Sequence, residues 1–435
     1  MSQELQAIYH AYLQSGQKIC TDTRKIEKGA LFFALRGPNF NANELAQKAI
    51  DEGCSFAIID DVNFTNVANT ILVNDVLKTL QDLANHHRRQ LTIPVLGITG
   101  SNGKTTSKEL INAVLAKKFK TLATQGNLNN HIGVPLTLLS ITKEHEFAIV
   151  EMGANHQGEI NMLCEIAEPD YGVITNIGKA HLEGFGGIEG VKKGKSEMYR
   201  YIAKKNGKIF LHGDDDVLQE LAKENDKITY GTKKLYDVVG KLKQEDEKVQ
   251  FAWKTRYNAS ELQAAPFVST QIVGVYNYYN LLCAACIGNF FKVDENLINE
   301  ALSEYEPSNN RSQLHKTQRN TLILDYYNAN PTSMRAAIEN FAQLQLPNKY
   351  LILGDMLELG DESIQEHMAI VDLLKEKNLN DYSLVGPIFK SITSVNSYLD
   401  SNEAKAHLNN LNLNGKTILI KGSRGIKLEI VLESL

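Results

Sequence analysis

The sequence predicts an α/β protein of three domains: a mixed α/β N-terminal domain (residues 1–90), a central parallel-sheet domain (91–306) and a smaller, Rossmann-like α/β C-terminal domain (307–435). Three observations carry this reading. The chain has 435 residues, more than one core serves at roughly 100–200 residues per domain. Short apolar strands alternate with helical segments, the rhythm of parallel sheets with crossover helices. That rhythm stops at the turn-rich seam YEPSNNRSQ, around Pro307, and then restarts.

In the first block AIYHAYL is amphipathic, and GALFFAL and SFAIID read as strands. NDVLKTLQDLANHHRRQ reads as a helix that ends in basic residues, as its dipole prefers. The second block opens on the apolar strand TIPVLGIT. TTSKELINAVLAKKF follows, with Leu110, Ile111, Val114 and Leu115 on one helical face. FAIVEMGA and DYGVITNIG are further strands, and Ile160, Leu163, Cys164 and Ala167 keep helical spacing between them. Residues 227–270 read as a β-rich excursion, and a helical pair over 277–304 closes the block. After the seam NTLILDYY, YLILGD, YSLVG and TILIKG are strands, without a G-x-G-x-x-G fingerprint.

Composition narrows the class. With 43% hydrophobic and 22% charged residues the chain is a soluble globular protein. A net charge of −5 argues against a nucleic-acid partner, which a basic excess would mark. The N-terminus has no apolar signal core, and no run reaches the roughly 18 apolar residues of a membrane span. Five scattered cysteines fit reduced thiols in a cytoplasm, and Cys283 and Cys286 of CAAC lie in an apolar helical run that reads as core. The expectation is a cytoplasmic monomer with no membrane insertion.

The chemistry concentrates at strand ends. In GITGSNGKTT a strand ends at Thr99 and small residues lead into a helix at Lys104. The strict phosphate-loop pattern wants glycine at Ile98, so the match is to a shorter loop, Gly100-Ser101-Asn102-Gly103-Lys104-Thr105-Thr106. Its backbone amides and helix N-terminus favour a polyphosphate, Lys104 neutralises phosphate charge, and Thr105 is placed to hold Mg²⁺. By itself the loop says only that a polyphosphate binds a P-loop-type central domain. Glu151 ends an apolar strand, where a carboxylate either reaches a nucleotide-bound Mg²⁺ or is simply solvated. His181 lies past another strand end and by itself reads as structural. Lys192, Lys193 and Lys195 read as a solvated helix face. Asn330 before Pro331 reads as an N-cap. Asp325, Tyr327 and Asn328 form a polar set suited to a base, a ribose or a polar substrate. Lys421, Ser423 and Arg424 sit in a small-residue turn before the last helix, which reads either as a second anion site or as a plain turn. No N-K-x-D guanine motif is present to support a GTPase switch.

Taken together, TDTRKIEKGALFFALRG, GITGSNGKTT, NLNNHIGVPLTLL, VEMGANHQGEI, ITNIGKAHLEGFG, KGKSE, DYYNANPTSMRAAI, LGDMLELGDES and KGSRG resemble the Mur ligase family over nearly the whole chain. The resemblance implies ATP-dependent ligation of D-alanyl-D-alanine to UDP-N-acetylmuramoyl-tripeptide through an acyl phosphate, in peptidoglycan precursor synthesis. The alternative is another amino-acid ligase of the same fold. It also implies ATP and two Mg²⁺ ions held by Thr105, Glu151, His181 and a CO₂-derived carbamate on Lys195, with Lys104, Lys195 and His181 as catalytic residues. Asn277, Arg311, Asp325 and Asn328 match positions that contact ATP. Thr23, Arg24, Arg36, Asn127, Asn130, Tyr327, Asn330, Ser423 and Arg424 are the implied substrate contacts. Two departures stand out: Tyr276 replaces the family histidine in GVYN, and Asn41-Ala42-Asn43 replaces a D-G-H stretch.

Overall fold

The protein, seen in a computed structural model, is described over residues 2–243, 247–346 and 348–435. It is a mixed α/β fold with three large sheets, each gathered around its own strand series, and a two-stranded antiparallel ribbon of Arg36–Gly37 and Phe40–Asn41. In the N-terminal unit four strands, Ile19–Cys20, Leu31–Phe33, Phe56–Ile59 and Thr70–Leu72, lie side by side in that order, all parallel. The helix Val76–Gln90 starts where the Asp75 side chain accepts from the Lys78 amide at 2.8 Å.

The basic end of that helix does more than answer its own dipole. Arg88 is buried, and its guanidinium donates to the carbonyls of Ala167 and Glu168 at 3.0 Å each. It thereby caps the helix Glu159–Ala167 of the central unit. His87 Nε2 bonds the carbonyl of Ile141 at 2.8 Å, and Tyr12 Oη donates to Leu139 at 2.6 Å. One apolar cluster runs through Ile8, Leu83, Leu138 and Ile160, so the two units share a core.

Burial pushes the His87 ring below the ordinary imidazole value, with the Ile141 carbonyl opposing it and neighbouring His86 adding to it. The unfolded chain therefore takes up a proton first on acidification. His87 contributes stability that is fully present above about pH 6.5 and is lost as pH falls through the lower folded value. Thermal melts should show this decline, and His87→Gln, which does not titrate, should flatten it.

The central sheet has nine strands. Seven run parallel, in the order Thr121–Ala123, Phe147–Glu151, Val95–Thr99, Tyr171–Ile174, Lys208–His212, Asp226–Gly231 and Val238–Lys243. Lys248–Thr255 and Val268–Val273 then add two antiparallel strands, the β-rich excursion of the sequence. Val95–Thr99 is buried along its whole length, as a central parallel strand requires. Behind it the helix Lys104–Ala116 buries Leu110, Ile111, Val114 and Leu115 against the helix Tyr278–Phe290. Cys283 and Cys286 lie in that apolar contact; all five cysteines are buried and free.

The C-terminal sheet runs Gln313–Lys316, Thr321–Asp325, Thr417–Lys421, Lys349–Gly354, Tyr382–Val385 and Ser397–Tyr398. All neighbours are parallel except the first pair. The last strand returns between the second and fourth, which places the chain ends of Asp325 and Lys421 side by side. One expectation fails here. No α-helix follows Arg424: Lys427 takes a left-handed φ of 58°, and the chain forms two 3₁₀ segments, Arg424–Ile426 and Leu428–Ser434, instead. Among the described residues no helix is long and apolar enough to cross a membrane.

Candidate active site

The loop after Val95–Thr99 is held open by its glycines. Gly100 has φ +142°, and a Cβ there would stand 2.0 Å from Thr175 Oγ1. Gly103 is left-handed at φ +77° and begins the helix Lys104–Ala116. The amides of Ser101 and Asn102 donate to the carbonyl and the side-chain oxygen of Asn176, at 3.0 Å each. The loop therefore offers an anion the later amides, those of the first helical turn, which lack intrahelical acceptors. Lys104 Nζ donates to the carbonyls of Gly100 at 2.8 Å and Ser101 at 3.3 Å. Burial pushes this ammonium below its ordinary range, Glu151 opposes that and Arg311 adds to it. A polyphosphate would relieve the desolvation. Gly100→Ala forces both a disfavoured φ and the Thr175 clash, at a cost of roughly 2 kcal/mol or more. It should lower the melting temperature and abolish nucleotide binding, measured by calorimetry.

Glu151 ends Phe147–Glu151 and is almost wholly buried. Its Oε1 accepts from Thr105 Oγ1 at 3.1 Å and from Asn129 Nδ2 at 2.8 Å. Its Oε2 is buried without a hydrogen-bond partner. The nearest cation, Lys108 Nζ, stands 3.7 Å away and donates to the Thr124 carbonyl at 2.7 Å. A buried carboxylate oxygen left open beside a threonine hydroxyl fits a hard divalent cation. Thr105 and Glu151 would hold a Mg²⁺ there.

His181 takes a left-handed φ of 53°, and its Nδ1 pairs with Glu358 from the C-terminal unit. Lys195 overturns the solvated-face reading. Lys192 pairs with Glu189 near the surface, but Lys195 is only 1% exposed. Its Nζ donates to the Ala154 carbonyl at 3.0 Å and lies 5.0 Å from the centre of the Phe185 ring. Burial drives its pKa far down; Lys104 adds to this, while Glu159 and Glu197 oppose it.

The other end of the site is built where the central unit meets the C-terminal unit. Asn277 Nδ2 donates to the Val273 carbonyl at 2.9 Å and to Ser312 Oγ at 3.0 Å, and its Oδ1 accepts from Asn280 at 3.0 Å. Tyr276 Oη bonds Ser312 Oγ at 3.2 Å, so the tyrosine that replaces the family histidine joins this network. Asp325 accepts from the Ser312 amide at 3.2 Å and pairs with the buried Lys421 at 2.6 Å. The guanidinium of Arg311 lies 3.7 Å from the centre of the Tyr327 ring, and that of Arg424 lies 5.6 Å away. Asn330 caps the helix Pro331–Gln343 through the Ser333 amide, as its sequence implied. It also donates from Nδ2 to Asn102 Oδ1 at 2.7 Å, which ties the two units across the phosphate loop.

These residues line one cavity of about 680 Å³. It gathers Ser101 to Thr106, Glu151, His181, Asn277, Arg311, Asp325 and Asn328. Asn127, Asn130, Tyr327, Asn330 and Arg424 line it as well. Asn130 has its side-chain oxygen taken by the amides of Ile132 and Gly133, which leaves its NH₂ for a ligand. Other implied site residues lie outside the lining. Gly100 and Lys195 sit behind it, Lys195 through Ala154. Ser423 is a buried turn residue whose Oγ accepts from the Leu357 amide at 3.0 Å. Thr23, Arg24 and Arg36 belong to the N-terminal unit, where Arg24 pairs with Asp22 and Arg36 with Asp60. Reading the sequence missed Asn129, Lys108, Asn176 and Glu358. Asn129 and Glu358 stood inside quoted motifs, whereas Lys108 looked like one more helical lysine.

The resemblance can now be weighed against known proteins. The Mur ligase middle domain matches residues 98–288, and the Mur ligase glutamate ligase domain matches residues 310–424. The UDP-N-acetylmuramoyl-tripeptide–D-alanyl-D-alanine ligase of Bacillus subtilis is 34% identical over 433 residues, spanning 96% of this chain and 92% of that protein. The chain belongs to the Mur ligase family. The corresponding ligase of Escherichia coli is 31% identical, over 96% of this chain and 93% of that one. MurF from Acinetobacter baumannii superposes with a TM-score of 0.86 at 31% identity, covering 98% of each chain. MurF from Thermotoga maritima in complex with ADP gives 0.84 at 25% identity, over 100% of this chain and 98% of that one. This Mur ligase is an ATP-dependent ligase with the three-domain architecture of its relatives.

Proposed function

We propose that this Mur ligase joins D-alanyl-D-alanine to UDP-N-acetylmuramoyl-tripeptide in the cytoplasm, giving the pentapeptide nucleotide, ADP and phosphate. The observation that carries the reading is the cavity itself. It sets the phosphate loop and Glu151 on one wall and the Asp325–Asn330 stretch on the other. The full-length relatives of similar sequence carry this ligase's name.

The chain's residues divide the work. The first-turn amides and Lys104 hold the ATP phosphates, and Asn277, Arg311, Asp325 and Asn328 face the nucleoside end. Thr105, Glu151, His181 and Lys195 would hold magnesium, which would supply charge screening between two anions. The carboxylate of the tripeptide attacks the γ-phosphorus, and the bond to ADP breaks. The amine of D-alanyl-D-alanine then attacks the acyl carbon, loses a proton, and phosphate leaves. Positioning and charge stabilisation carry most of the acceleration. The attacking amine titrates near 7.7–8.0, so an alkaline optimum is expected. Asn127 and Asn130 face the muramoyl-peptide side of the cavity. Thr23, Arg24 and Arg36 receive the uridine nucleotide in the N-terminal unit.

Lys195 is carbamylated in this reading. Its burial favours the neutral amine, the form that attacks CO₂; a C–N bond forms and a proton goes to solvent. The product is an anion beside Ala154, which suits a second magnesium ion better than an ammonium does.

A panel of amino-acid acceptors tests the assignment. With UDP-N-acetylmuramoyl-tripeptide and ATP, only D-alanyl-D-alanine should release ADP. Release with a single amino acid and a shorter muramoyl acceptor would assign the chain to another ligase of the same fold.

A further inference from the structure

Glu358 lies in the loop after the strand Lys349–Gly354 of the C-terminal unit, yet its carboxylate meets His181 of the central unit. The residues before it are fixed one by one. The wholly buried Asp355 carboxylate accepts from the amides of Ile388 at 2.8 Å and Phe389 at 2.9 Å. The Met356 amide donates to the buried His367 Nε2 at 3.0 Å, and the Leu357 amide donates to Ser423 Oγ at 3.0 Å. Glu358 and His181 both take left-handed backbone conformations, with φ of 63° and 53°. Histidine visits that region readily, whereas a glutamate there is uncommon and is held by its surroundings. The Glu183 amide meets the Glu358 carbonyl at 3.4 Å, so the two loops also touch through their backbones.

We propose that Glu358 is a positioning residue that makes the metal-binding geometry of His181 conditional on docking of the C-terminal unit. By accepting from Nδ1 it fixes the tautomer and the plane of the ring, and leaves Nε2 for the metal. The site is then complete only when the cavity is closed, the state that keeps water from an acyl phosphate. The inference rests on the ligase reading, in which His181 holds magnesium. Contacts from the same central loop to helices of the C-terminal unit serve docking alone. The Lys179 ammonium pairs with Glu366 and approaches Glu362 at 3.7 Å, and its amide donates to Thr332 Oγ1 at 3.0 Å.

The test is calorimetric binding of ADP to the full chain, in Mg²⁺ and in EDTA, for wild type, Glu358→Ala, Glu358→Gln and Lys179→Ala. Glu358→Ala should match wild type in EDTA but lose about 10-fold or more of the gain that Mg²⁺ gives. Glu358→Gln, which keeps an acceptor oxygen, should retain most of that gain, and Lys179→Ala, which removes one docking contact but leaves the His181–Glu358 pair, should lose less than about threefold of it. Ligation by Glu358→Ala should fall in kcat by about 10–100-fold, with KM for ATP in Mg²⁺ raised by about 10-fold or more. An undiminished Mg²⁺ gain in Glu358→Ala, or an equal loss in Lys179→Ala, overturns the proposal. Wild-type turnover beside either result leaves the ligase reading standing, whereas absent wild-type turnover fails that reading by itself.

Discussion

Lys104→Ala lowers kcat for ligation by about 1,000-fold or more, a loss of roughly 4 kcal/mol in transition-state stabilisation. The reason is the position of its ammonium. Lys104 is the cation of the phosphate loop, half-buried and held to the Gly100 and Ser101 carbonyls beside the first-turn amides. When the γ-phosphoryl group transfers, charge shifts over its oxygens, and a water-excluded cation is worth far more there than a solvated one. Lys104→Arg should not rescue, because a planar fork does not replace a compact ammonium in so close a loop. The fold should survive, since the bonds lost are to carbonyls of the same loop. Steady-state kinetics and circular dichroism check both halves of the expectation.

Lys195→Ala costs about 100-fold or more in kcat, and short-chain carboxylic acids restore about 10-fold of it. The second half discriminates between roles. If Lys195 acts as a cation, a small carboxylate added to the vacated space cannot replace it. If it acts as a carbamate, acetate or formate supplies the missing anion. Burial is what favours the second outcome, because it holds Lys195 toward the neutral amine that CO₂ needs; the Ala154 carbonyl and the Phe185 ring face by themselves suit an ammonium. Adding bicarbonate to wild type should raise activity where CO₂ has been stripped away. Rescue by ammonium-type amines but not by carboxylates would contradict the carbamate.

Much of the scaffold was legible because it rests on patterns that local sequence controls. The all-buried run Val95–Thr99 declared a central parallel strand, and the spacing of Leu110, Ile111, Val114 and Leu115 declared the helix behind it. Gly100 and Gly103 announced a tight loop, and at Gly100 a Cβ would run into Thr175. The ending of the chain was not legible. LEIVLES carries helical spacing, and only the left-handed Lys427 turns it into 3₁₀ segments. In the site, the motifs named most of the cavity wall but not its wiring. Arg88 looked like a residue answering its own helix dipole, and folding makes it the cap of a different helix. Lys195 looked solvated because burial is a tertiary property that spacing does not carry. Glu358 was one of several acidic residues in an exposed-looking loop, and only the approach of two units brings it to His181. Pairings across 177 residues leave no local trace.

The most direct measurement of the central claim, that the ATP site and the peptide-bond site are one, is an isotope transfer. UDP-N-acetylmuramoyl-tripeptide labelled with ¹⁸O in its terminal carboxylate is incubated with ATP, Mg²⁺ and D-alanyl-D-alanine, and the products are weighed by mass spectrometry. An acyl phosphate passes one carboxylate oxygen to the leaving phosphate. The account predicts the pentapeptide nucleotide, ADP in equal amount, and one ¹⁸O in each phosphate released. ADP with unlabelled phosphate and no pentapeptide nucleotide would contradict it.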